Sequence, residues 1–125
     1  MQDRDLLFYS VCIGSDHPDI LEEFSRGRTA LWACLELEHI NMLVYKIASM
    51  LRLYKPPRSI HVLTVDGSPH CVQLHYAVEE AKKISGSNIK VRHFVISKGA
   101  AIEVSAQAVK RSRYLGKLEK NHSNH

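Results

Sequence analysis

Three apolar, strand-like runs, set apart by helix-length amphipathic segments, constrain this chain more than any other feature of its 125 residues. They are DLLFYSVCI at residues 5–13, IHVLTV at 60–65 and IKVRHFVI at 89–96. Each is rich in β-branched or aromatic side chains, which fit a pleated surface. Strands that alternate with helices pair in parallel, because the chain must cross back over the sheet before the next strand begins. The first two runs are almost unbroken, as strands covered on both faces are. The third opens with an apolar–polar alternation from Ile89 to Arg92, the pattern of an edge or half-covered strand.

The segments between the runs read as helices. Residues 14–18 (GSDHP) turn the chain into a short helix through Ile20, Leu21 and Phe24, with Gly27 as its stop. From Thr29 a long helix is expected to reach Tyr54. Ala33, Leu37, Ile40, Val44, Ile47 and Leu51 recur along it at helical spacing. Leu31, Leu35, Met42, Leu43, Met50 and Leu53 widen that apolar surface, which predicts burial on two sides or a subunit contact anchored by Trp32. Pro56 and Pro57 end it. A further helix is expected over 68–84, with Leu74, Ala77, Val78, Ala81 and Ile84 inward, and a last one over 100–115. The expected fold is α/β: a small Rossmann-like unit with a short parallel three-stranded sheet packed with four helices. Residues 1–115 form its single domain and 116–125 a polar, basic tail. Three strands are few for such a sheet, so a homo-oligomer, dimer or larger, is expected.

Composition narrows the function classes. Hydrophobic residues make up 45% and charged residues 24%, as in ordinary soluble domains. No apolar run approaches the ~18 residues of a membrane span, and the start, Met1-Gln2-Asp3-Arg4-Asp5, lacks a basic-then-apolar leader. Three cysteines without a CxxC pair argue against a disulfide scaffold, so a reducing, cytoplasmic setting is expected. Residues 1–109 carry 12 basic and 12 acidic side chains, so the net charge of +4 resides in residues 110–125. That end suits an acidic partner. Tyr114 is its one aromatic residue, too little stacking surface to point to nucleic acid.

Candidate chemistry gathers at residues 66–75. Ser68 suits an N-cap and Pro69 the first helical position, which places His70 and Cys71 in a first turn, among unpaired backbone N–H groups. Such a position lowers a thiol's pKa or holds an anion. Cys71 is the candidate nucleophile or persulfide carrier, His70 or His75 its proton partner, and Asp66 an orienting group. In an open parallel sheet, ligands bind beyond the strand carboxyl ends. Three loops are expected there, and Gly14, Ser15, Gly67, Ser68, Lys98 and Gly99 within them form a cradle for a small anionic ligand. None is a GxGxxG or Walker loop, so no cofactor is specified. The plainer reading is that these loops need Gly and Ser to turn and cap, and that Cys71 is a core residue in line with Leu74, Val78 and Ala81. A third reading makes His17, Cys71 and His75 a metal set, without the paired motifs of structural zinc sites. Glu36 and His39 form half of a helical carboxylate–histidine motif and suit a solvated face better, while Cys34 reads as core and His61 and His93 as packed or surface side chains. The expected function is thiol or sulfur handling, or small-anion binding, at the strand carboxyl ends. The alternatives are a non-catalytic oligomeric assembly module and a metal-binding protein.

Overall fold

Five strands, not three, make up the sheet, and the two additional ones come from segments expected to be helical. The computed structural model describes residues 5–33, 40–52, 57–66 and 69–113. In chain order the elements are β1 (Asp5–Ser10), α1 (Ile13–Asp16), α2 (Pro18–Ser25), β2 (Thr29–Ala33), α3 (Ile40–Leu51), β3 (Ser59–Val65), α4 (Pro69–Ser85), β4 (Lys90–Ser97), β5 (Ala100–Val104) and α5 (Ala106–Arg113). The sheet order is β2-β1-β3-β4-β5. The first four strands pair in parallel, and β5 runs antiparallel to β4.

The central strands are the unbroken apolar runs. Leu6, Leu7 and Phe8 of β1 and residues 60–64 of β3 are buried, as strands covered by helices on both faces must be. Alternate side chains feed two cores. Leu6, Phe8, Ile60 and Val62 meet α3 and α4 through Leu43, Val44, Ile47, Leu74 and Val78. Leu7, Ile13 and Leu63 meet α2 through Ile20, Leu21 and Phe24. Removing one such leucine or isoleucine from water is worth roughly 1.5–3 kcal/mol, so packing rather than helix propensity holds the layers together.

Two expectations are corrected. The segment TALWA pairs with β1 as edge strand β2, and α3 starts only at Ile40. Thr29, Leu31 and Ala33 lie on the more buried side, Ala30 and Trp32 on the exposed one, a period of two that the helical spacing of Ala33 with later residues concealed. The segment AAIEV is β5, although alanine and glutamate favour helices, because Lys98 and Gly99 make a two-residue hairpin that returns the chain along β4. Their φ values of 52° and 79° are those of a type I′ turn, whose twist matches paired strands. The expected 100–115 helix is therefore reduced to α5, capped by a hydrogen bond from the Ala108 N–H to Ser105 Oγ. With β2 and β5 present, the sheet does not need a second subunit to gain width. The first strand is also shorter than expected: Cys12 lies in the turn beyond it, and Ile13 already belongs to α1.

Helix α4 ends as its sequence predicts. Gly86 takes a left-handed φ of 69°, and the N–H groups of Gly86 and Ser87 donate to the carbonyls of Lys83 and Lys82. These are the two bonds of a Schellman cap. Among the described residues no helix is long and apolar enough to cross a membrane.

Candidate functional site

The winding of the sheet reverses between β1 and β3. From β1 the chain passes through α1 and α2 to β2 on one side. From β3 it passes through α4 to β4 on the other. Right-handed crossovers in opposite directions place α2 and α4 on opposite faces, as the two cores confirm. The segments leaving the carboxyl ends of β1 and β3 head to opposite faces, the arrangement in which an open parallel sheet forms its ligand crevice.

On the β1 side, residues 11–17 form the lip. Cys12 is exposed and precedes α1, with its sulfur 3.7 Å from Ser10 Oγ. Gly14 and Ser15 are exposed in α1, and Ser15 Oγ donates to the Cys12 carbonyl at 3.1 Å. His17, half-buried, joins α1 to α2. A Cβ placed on Gly14 would meet nothing closer than Leu21 Cδ2 at 4.0 Å, an ordinary van der Waals contact, so a side chain fits there without a clash. On the β3 side Asp66 is exposed, and its N–H donates to the Ile96 carbonyl, carrying the β3–β4 ladder one residue past the strand. Gly67 and Ser68 lie outside the described residues, as do the side chains of His70 and Cys71, whose backbone belongs to the first turn of α4. Lys98 and Gly99 sit at the same edge of the sheet, one strand further on, in a hairpin rather than at a helix start.

A family model described as a Rossmann-like domain matches residues 1–125. The chain belongs to that family. Comparison with curated proteins and with solved structures returned no match. In this Rossmann-like sheet the reversal between β1 and β3 is the topological switch point, and two of the three loops singled out in the sequence border it.

His75 sits elsewhere than the sequence reading placed it. It is 3% exposed beneath α4, with Nε2 2.7 Å from Thr64 Oγ1 and Nδ1 2.9 Å from His93 Nδ1. His93, 1% exposed, places Nε2 2.6 Å from Glu79 Oε2. Four side chains thus form one hydrogen-bonded line, Thr64–His75–His93–Glu79, through the α4 face of the sheet. Burial, with the neighbouring His93 as a smaller cause, lowers the His75 pKa to about 3, so this ring stays neutral at physiological pH. Both of its nitrogens are engaged, and neither turns to the crevice. Among the described residues no group of three or more His, Cys, Asp or Glu could hold a metal ion. His61, read as a packed or surface side chain, is buried on the opposite face against Phe94, where Arg28 lies 3.4 Å from its Nε2. Cys34, Glu36 and His39 lie outside the described residues.

Thr64, Glu79 and His93 were missed, yet they left a signal. Thr64 follows Ile60 and Val62 at every second residue of β3, and His93 follows Val91 in β4, both inward positions. Glu79 is one turn beyond His75 on α4. Polar residues at inward positions of two neighbouring strands and of the helix covering them identify a buried network.

Proposed function

We propose that this Rossmann-like domain binds a small anionic ligand, one bearing a phosphate or carboxylate group, in the crevice between the carboxyl ends of β1 and β3. The observation that carries the reading is the reversal of winding at β1/β3, which brings together two of the three loops whose small residues permit close backbone approach. Gly14 and Ser15 line one lip, Asp66 the other, and Lys98 supplies a positive charge from the adjoining hairpin. Isothermal titration with inorganic phosphate and with adenosine monophosphate tests the reading in the native chain. Gly14→Asp adds a carboxylate where there is room for one, so it leaves the fold intact and repels the anion. Saturable binding that weakens at least tenfold in the variant is the expected result. Absence of binding by both probes, or binding indifferent to the added charge, refutes it.

A thiol role at the same crevice is a second reading, favoured by a cysteine just beyond each of the two strands: exposed Cys12 after β1, and Cys71 in the first turn of α4. Peptide mapping after brief iodoacetamide treatment at neutral pH tests it. Cys71 should be modified in the native protein, more slowly with phosphate present. Modification of Cys71 only after unfolding would make it a core residue.

A further inference from the structure

The buried line of four side chains has a proton inventory that its geometry fixes. The short contact between His75 Nδ1 and His93 Nδ1 requires one proton between the two nitrogens. The contact of His93 Nε2 with the ionised Glu79 carboxylate requires a second, on His93. With Glu79 ionised, two arrangements satisfy every bond. In the first, both rings are neutral: His75 donates from Nδ1 to His93, and the Thr64 hydroxyl donates to His75 Nε2. In the second, one proton has been added: His93 is an imidazolium donating to both His75 Nδ1 and Glu79, and His75, still neutral, donates from Nε2 to Thr64 Oγ1. Passing between them moves one proton across each of two hydrogen bonds and leaves no buried group unpaired.

We propose that Thr64, His75, His93 and Glu79 form a proton relay, which takes up one proton from water as the pH falls and stores it on His93 against the Glu79 carboxylate. Thr64, 1% exposed, is the penultimate residue of β3, so the line runs from the carboxyl end of that strand to Glu79. A proton arriving on Thr64 Oγ1 sends the hydroxyl's own proton to His75 Nε2. The Nδ1 proton of His75 passes to His93 Nδ1, and the positive charge comes to rest on His93, 2.6 Å from a carboxylate. At its far end the line opens to water. Glu79, with a 10% exposed side chain, lines a cleft of about 530 Å³ bordered by Tyr76, Glu80, Lys83, Ser87 and Asn88, at the opposite edge of the sheet.

Burial disfavours charge at His75, and the Glu79 carboxylate lies beside His93. On α4 the charged and titratable groups facing the line are His75 and Glu79 themselves, with Glu80, Lys82 and Lys83 at the cleft. From β3 comes Thr64, and from β5 Val104 lies opposite His93, while Arg92 and Glu103 pair on the other face of the sheet. The nearby described residues of α3 and α5 are apolar: Leu43, Val44, Ile47 and Val109. The low pKa of His75 fits a ring that passes protons without keeping one.

Nitrogen-15 spectra of the histidine rings, recorded on the full chain from pH 4 to 9, decide the matter. The expected result is one event seen at both rings. As His93 gains its second ring proton, His75 stays singly protonated but exchanges an Nδ1 proton for an Nε2 proton, with the same midpoint. Glu79→Gln, which removes the stabilising charge, should weaken proton uptake by His93 at least tenfold while the exchange at His75 still follows it. A purely structural network would keep one tautomer at His75. That outcome, or a His93 that holds one protonation state across the whole range, overturns the relay; both are read in the wild-type chain, whether or not the variant folds. A coupled exchange in a protein that binds neither phosphate nor adenosine monophosphate would instead uphold the relay and refute the crevice reading.

Discussion

Lowering the pH from 7 to 4 should destabilise this protein in large part through His75. In the unfolded chain its imidazole takes a proton at its ordinary pKa of 6.5, whereas in the fold it resists protonation down to about pH 3. Between those values the unfolded state binds the extra proton, so stability is complete above pH 6.5 and falls as the pH is lowered. Each pH unit in this window is worth about 1.4 kcal/mol for a single group, so the loss from this ring at pH 4 is about 3 kcal/mol, a large share of the stability of a small domain. The cause is a ring 3% exposed, with both nitrogens committed, that cannot regain its hydration. Urea denaturation of the wild type and of His75→Gln at the two pH values isolates the term. The variant loses the network and is weaker at both, so the informative quantity is the drop between them. It should be smaller in His75→Gln by about 3 kcal/mol. An equal drop in the two proteins would refute the argument that burial holds this ring neutral.

Other outcomes follow from the same structure. Thr64→Val keeps the side-chain volume but leaves His75 Nε2 without a partner, and should cost about 1–3 kcal/mol in chemical denaturation, most of it restored in Thr64→Ser. Ile47→Ala opens a cavity where α3 packs on the sheet and should cost about 2–5 kcal/mol by the same assay. Gly99→Ala forces a side chain into a φ of 79° and should lower the thermal midpoint, at a cost of about 1–2 kcal/mol. Arg92→Ala removes a bidentate bond to Glu103 between two solvent-screened side chains and should leave the denaturation midpoint nearly unchanged.

The parallel core of the fold was legible because its strands bury both faces and must be apolar along their whole length. Residues 5–10 and 59–65 could satisfy no other environment, and Pro69 and Gly86 bracket α4 by plain stereochemistry. The edge strands were not legible for the complementary reason. An edge strand is half exposed, so TALWA and AAIEV carry only a faint alternation, and their strand state is decided by what lies beside them: β1 for the first, a hairpin onto β4 for the second. The candidate loops could be placed, since two of them follow the two most evident strands. The chain through His75 could not be foreseen from the helix alone. His75 was read with its sequence neighbour Cys71, whereas its partners are Thr64 and His93, 11 and 18 residues away and brought close only by sheet register.

The central claim is that the β1/β3 switch point is the binding crevice. Backbone amide spectra recorded while inorganic phosphate is added test it most directly. The account predicts saturable shifts concentrated in residues 12–16 and 66–72, with the β2 edge and the Glu79 cleft unmoved. Shifts confined to that cleft or to the basic end of the chain, or no saturable shift at all, would contradict it.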